Sequence, residues 1–90
     1  MKKVEKKIYP KYFQAILDGR KSFEIRLNDF DIQEGDILVL KEWDKETASY
    51  TGRELEREVG YVGKWKIADL TEFWPLEDIE EKGIQVISLK

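Results

Sequence analysis

The fold is decided by a junction between a predicted helix and a predicted strand, residues 10–27, with the sequence PKYFQAILDGRKSFEIRL. Pro10 suits the first turn of a helix, because its missing N–H would have no helical partner there. One apolar stripe at helical spacing is formed by Tyr12, Phe13, Ile16 and Leu17. Gly19 suits the left-handed position that ends a helix. The pattern predicts a helix over residues 10–18.

The stretch that follows, residues 21–27, alternates between polar and apolar side chains. Three apolar side chains would face one side of a strand, and the other side would carry Ser22, Glu24 and Arg26. This alternation predicts a half-buried strand. Glu24 and Arg26 are then neighbours on one face, whereas Lys21 can join them only from the loop before the strand or from a bulge.

Further strands are predicted over residues 4–9, 37–43, 53–62 and 84–89. Residues 37–40 and the strand at 84–89 are apolar on both sides, which favours a closed or doubly covered sheet. In the strand at 53–62, Leu55, Val59 and Tyr61 would face inward and Arg57 would lie on the same side.

The remaining stretches are predicted as connections and one short helix. Residues 44–52 suit a hairpin connection, apolar spacing over 67–74 predicts the helix, and the polar tract 77–82 suggests a surface loop. The expected fold is α+β: one domain over residues 1–90, a small mixed β-barrel of about five strands with one or two helices.

The net charge of −3 conceals an uneven distribution. Residues 1–26 hold eight basic and three acidic side chains, a net charge of +5, whereas the remaining 64 residues hold eight basic and sixteen acidic ones, a net charge of −8. Such a chain can present a basic face to an anionic partner and stay soluble. Alternatively, this imbalance of charge reflects an ordinary solvated surface that is rich in charged side chains.

The chain has neither cysteine nor histidine. This excludes a disulfide framework, a Cys/His zinc site, a cysteine nucleophile and a Ser-His-Asp relay, and no cofactor or metal site is expected. No apolar run reaches the ~18–20 residues of a membrane span, so we expect a cytoplasmic protein. Lys21 is left as the main candidate for a reactive group, since a partly buried lysine among other cations can act as a base or nucleophile.

The run Gly19-x-Lys21-x-x-Glu24-x-Arg26 resembles the GxKxxExR motif of ASCH domains, which have a PUA-like barrel fold. Similarity to a small bacterial and phage subfamily of that group, one with no assigned function, covers roughly residues 4–62 and the last strand. The resemblance implies a cleft lined by Lys21, Glu24 and Arg26 that binds RNA or a nucleotide. Arg20, Asn28 and Arg53 would lie at its edge.

Two other functions stay open. Some relatives of ASCH domains are amidohydrolases that remove an acyl group from modified cytidine, so an amidohydrolase or ribonuclease that uses Lys21 and Glu24 is an alternative. Glu24 stands where those enzymes have a catalytic threonine. The second alternative is a protein-interaction module that uses the acidic remainder of the chain. Trp43, Trp65 and Trp74 could stack on bases, although tryptophans in a small domain more often serve packing.

Overall fold

The structure is a computed structural model that describes residues 1–89, and it has a mixed α+β fold with a three-stranded open sheet. The strands are β1 (Lys3–Ile8), β2 (Ile37–Asp44) and β3 (Ser49–Glu58), and the helices are α1 (Pro10–Leu17), α2 (Ile67–Leu70) and α3 (Leu76–Lys82). The strand order is β1-β2-β3, so β2 is central. The α+β class predicted from the sequence is confirmed.

β1 runs parallel to β2, with Lys3 opposite Ile37 and Ile8 opposite Glu42. Two parallel strands need a crossover connection, and here it consists of α1 and the irregular residues 18–36. β2 and β3 are antiparallel and joined by a short turn, with an irregularity in the register between Lys41 and Trp43.

The core lies between α1 and one face of the sheet, which we call the inner face. It consists of Ile8, Phe13, Ile16, Leu40 and Leu55. Burial of each such side chain contributes about 1.5–3 kcal/mol. Phe13 and Leu40 are the most completely enclosed of them, so α1 is fixed on the central strand.

The C-terminus of α1 sets the direction of the chain towards the motif. Gly19 has a φ of 79°, the left-handed conformation that a residue with a Cβ adopts only with strain. The backbone N–H groups of both Arg20 and Lys21 then donate to the carbonyl oxygen of Ala15, each at 3.0 Å. The predicted helix and its end at Gly19 are confirmed, and this turn brings Lys21 back against the helix.

β3 confirms part of its predicted pattern. Leu55 is buried and Arg57 lies opposite Leu38 on the same inner face, while Glu54, Glu56 and Glu58 are exposed. The prediction that Tyr61 faces inward is wrong, because β3 ends at Glu58 and the Tyr61 side chain is 91% exposed.

Two segments predicted as strands, residues 21–27 and 84–89, have no regular secondary structure here, and the sheet has three strands rather than about five. In the first segment, Lys21 bonds to the carbonyl oxygen of Phe23 and to the Glu24 side chain. In a regular strand the side chains of Lys21 and Glu24 would point to opposite faces, so the contact between them requires a local bend in the chain.

The C-terminal part contains one helix more than predicted. Residues 77–82, expected to form a loop, belong to α3, whereas the helix predicted over 67–74 is reduced to α2 and a following turn. Acidic side chains in the first turn of α3 and Lys82 in its last turn match the helix dipole. Ile79 is buried and anchors this helix. No helix in residues 1–89 is long and apolar enough to cross a bilayer.

Candidate functional site

A cleft of about 790 Å³ opens between the irregular crossover segment and the inner face of the sheet. Its walls are the end of α1, residues 21–28, apolar side chains of β2, and the loop that follows β3. Its volume lies within the ~300–1,000 Å³ of ligand sites, which usually combine apolar walls with a few polar groups. This cleft therefore has the size and wall chemistry of a small-molecule or nucleotide site.

Lys21, Glu24 and Arg26, which we call the Lys21 cluster, converge on one wall of this cleft. Lys21 Nζ donates to Glu24 Oε1 at 2.6 Å, and Arg26 Nε donates to Glu24 Oε2 at 2.8 Å. Arg26 Nη2 lies 2.7 Å from the same Oε2 atom. The sequence left open whether Lys21 reaches the other two side chains, and in the structure it does.

The Lys21 cluster is partly shielded from water. The side chains of Lys21 and Glu24 are each 17% exposed, and that of Arg26 is 28% exposed. Lys21 Nζ also donates to the carbonyl oxygen of Phe23 at 2.8 Å and lies 4.9 Å from the centre of the Phe23 ring. The carboxylate thus holds two cations side by side, which leaves one net positive charge on this wall of the cleft.

The other three predicted site residues lie in different places. Asn28 lines the cleft, as expected. Arg20 is at the end of α1, exposed, with its guanidinium 3.1 Å from Asp18. Arg53 lies in the middle of β3, outside the cleft lining, where it is paired with Glu42. Of the six predicted residues, four meet in the cleft and two are engaged elsewhere.

Arg53 belongs to a separate network around the buried carboxylate of Glu42, which sequence reasoning missed. Glu42 accepts hydrogen bonds from Thr51 Oγ1 at 2.6 Å and from Arg53 Nε and Nη2 at 3.0 and 2.8 Å. The bonds from Arg53, and then those from Thr51, hold the pKa of Glu42 below its usual value, although burial acts in the opposite direction. The guanidinium also lies 4.7 Å from the centre of the Phe13 ring, so this network ties β2 and β3 to α1.

The cleft also contains residues outside the six predicted for the site, although the sequence had raised Trp65 as a ring that could stack on bases. The loop after β3 contributes Tyr61, Lys64 and Trp65, and β3 contributes Arg57. The available signal was the run Gly60-Tyr61-Val62-Gly63-Lys64-Trp65, in which glycines alternate with large side chains. Such a run is hard to assign to a binding wall until the strand boundary at Glu58 is known.

Comparisons with known proteins show what the chain is similar to. A family model described as a domain of unknown function, DUF3850, matches residues 4–76. An uncharacterized 12.9 kDa protein in the GpA 3′ region of Escherichia phage P2 is 38% identical over 55 residues, or 61% of this chain and 49% of the phage protein. The chain thus spans about half the length of that curated relative. Since the family model matches most of the chain, including the Lys21 cluster, the chain belongs to the DUF3850 family.

Proposed function

We propose that this protein binds RNA or a nucleotide in the cleft, with the Lys21 cluster as the phosphate-binding wall. The observation that carries the proposal is the Glu24 carboxylate, which bridges Lys21 and Arg26 on the wall of a cleft of about 790 Å³. A carboxylate in this position orients both cations, and a preformed pair of donors binds an anion without losing side-chain entropy at that step.

The unused hydrogen-bond donors of the cluster suit a phosphate group. Lys21 has three N–H donors, two of which serve Phe23 and Glu24, so one remains for a ligand. Arg26 has five donors, of which Nε donates to Glu24 while Nη2 lies 2.7 Å from the same oxygen, and this leaves the Nη1 side of the planar fork for a ligand. Arginine with a free fork edge favours phosphate oxygens or a base edge. The apolar walls would hold the nucleobase.

We further propose that the fold is PUA-like and of the ASCH type, with residues 21–27 and 84–89 completing a barrel of about five strands. Support comes from exposed apolar side chains in both segments, Ile25 and Leu27 in the first and Ile87 and Leu89 in the second. Apolar surface of this kind gains stability when it is covered. Amide hydrogen exchange tests this: both segments should be protected within a folded barrel, and fast exchange throughout would contradict it.

Titration with uridine 5′-monophosphate and with a four-residue oligouridylate at ~50 mM salt tests the proposed function. Lys21→Ala and Arg26→Ala should each weaken binding about 10- to 150-fold, the loss expected for one charge-assisted hydrogen bond. Each change should also make binding less dependent on salt, since a phosphate contact is lost.

Arg20→Ala is the matched control, because it removes a cation next to Lys21 that is exposed and paired outside the cleft. It should change affinity by less than about fivefold. Circular dichroism of all three variants should show the wild-type fold. Binding that is unaffected by Lys21→Ala and Arg26→Ala would refute the proposal.

A further inference from the structure

Two exposed aromatic rings stand on the wall of the cleft formed by the loop after β3. The Tyr61 side chain is 91% exposed and that of Trp65 is 54% exposed, and both line the same cleft as the Lys21 cluster. When a flat apolar group covers exposed rings of this size, apolar surface is removed from water, which favours binding. Their position in a cleft distinguishes them from Phe73 and Trp74, which are also exposed but pack against each other, with ring centres 5.7 Å apart.

The two rings converge on Gly63. A Cβ atom at this position would lie 2.9 Å from Cζ3 of Trp65 and 3.4 Å from Cε1 of Tyr61. Gly63 is not among the glycines with a positive φ, so its backbone would accept any L-residue. Glycine is therefore suited to this position because the Trp65 ring occupies the space that a Cβ atom would need.

The charges around the rings favour a polyanion. Besides Lys21 and Arg26, the cleft is lined by Arg57 and Lys64, against the two carboxylates of Glu24 and Glu58. Lys64 lies in the chain between the two rings. Cations interleaved with exposed aromatic rings are the pattern of surfaces that bind single-stranded nucleic acid, where bases stack and phosphates meet positive charge.

We propose that Tyr61 and Trp65 form a second subsite, on which the base of an adjoining nucleotide stacks when a single-stranded RNA occupies the cleft. This rests on the proposed function, since the first nucleotide is held by the Lys21 cluster. The two subsites make the preferred ligand an oligonucleotide rather than a mononucleotide. Arg57 and Lys64 neutralise the phosphates that connect the two bases.

The test compares uridine 5′-monophosphate with the four-residue oligouridylate on the wild-type protein and on Trp65→Ala. The wild-type protein should bind the oligonucleotide more tightly. Trp65→Ala should weaken oligonucleotide binding about 5- to 150-fold, the effect of losing one stacked base, and leave mononucleotide binding within about twofold. Trp74→Ala is the matched control, because it removes an exposed tryptophan that packs on Phe73, and it should leave both affinities unchanged.

Gly63→Ala tests the same subsite with both rings still present. The added methyl group would meet the Trp65 ring at 2.9 Å and push it away, so oligonucleotide affinity should fall while mononucleotide affinity stays the same. This variant also guards against a folding effect of Trp65→Ala, since it removes no apolar surface.

The outcomes separate the two proposals. If Trp65→Ala and Gly63→Ala leave oligonucleotide affinity unchanged while Lys21→Ala lowers it, the second subsite is refuted and the proposed function stands. If Trp65→Ala weakens oligonucleotide binding but Lys21→Ala does not, the subsite is supported and the role of the Lys21 cluster is refuted. Failure of the protein to bind either probe refutes both.

Discussion

Replacing Arg53 with alanine removes the main partner of a buried carboxylate. The Glu42 side chain is 5% exposed, and without Arg53 the Thr51 hydroxyl would be the one donor left to it among residues 1–89. Leaving one member of a buried ion pair unpaired costs about 3–5 kcal/mol. Because the Arg53 side chain is 48% exposed, water already screens the pair, and we expect a loss of about 3 kcal/mol, the lower end of that range.

The reciprocal change, Glu42→Gln, should cost less. It removes the charge at the buried end, keeps a group of the same shape that can still accept hydrogen bonds, and leaves Arg53 free to turn towards water. The expected loss is about 2 kcal/mol, in the range for a hydrogen bond to a charged group. Removing Arg53 should therefore cost more stability than removing the charge of Glu42, because the first change leaves a buried carboxylate unpaired and the second leaves a guanidinium that water can solvate.

The loss of folding stability caused by Arg53→Ala should be smaller at acidic pH. In the wild-type protein the pKa of Glu42 is below its usual value near 4.5, so the stabilisation is present above that pH and is lost as pH falls through the folded-state pKa. Without Arg53, the bond from Thr51 still outweighs burial, so the pKa of Glu42 moves back towards its usual value and the variant loses less stability than the wild type as pH falls. The difference in folding stability between the wild-type protein and Arg53→Ala is therefore smaller at pH 4 than at pH 7.

Thermal unfolding followed by circular dichroism at pH 7 and pH 4 measures these effects. In a chain of this size each kcal/mol changes the Tm by about 4–8 °C, so Arg53→Ala should lower the Tm by about 12–24 °C and Glu42→Gln by about 8–16 °C at pH 7. Equal or larger destabilisation by Glu42→Gln at pH 7 would refute the reasoning. A difference in Tm between Arg53→Ala and the wild-type protein that is the same at pH 4 and at pH 7 would also refute it.

Two further predictions concern the elements that position the cleft, and urea unfolding followed by tryptophan fluorescence measures both. Gly19→Ala should lower the free energy of unfolding by about 1–2 kcal/mol, because Gly19 has a φ of 79° with open space around it, and an unchanged midpoint would contradict the left-handed helix end. Phe13→Ala should lower it by about 3–5 kcal/mol, because Phe13 is 2% exposed, and a loss below about 1 kcal/mol would contradict its place in the core.

Local signals in the sequence predicted the elements that depend on local interactions. Pro10 and Gly19 bracket α1 because the constraints they impose act on their own backbone, and the alternation around Leu55 identified the buried side of β3. α3 was missed although its signals were present. Its acidic first turn and Lys82 suit a helix dipole, but only one of its side chains, Ile79, is buried, so the apolar stripe that normally reveals a helix is too short.

The candidate site was predictable only in part, because its contacts depend on how distant segments meet. The spacing of Glu24 and Arg26 predicted their contact, whereas the approach of Lys21 depends on the turn after α1. Arg53 was expected at the edge of the cleft, but its partner Glu42 is defined by strand pairing across a register irregularity. A strand register of this kind cannot be derived from residue types alone.

The parallel pairing of β1 with β2 determines the order in which the chain can fold. β2 and β3 are adjacent in sequence and can pair as a hairpin, a step of about 1–10 μs, whereas β1 is separated from β2 by residues 9–36 and must close that connection first. Because the Lys21 cluster lies within that connection, the cleft assembles only when the connection packs against β2 and β3. A molecule bound in the cleft would therefore hold the connection on the sheet and protect it from proteases.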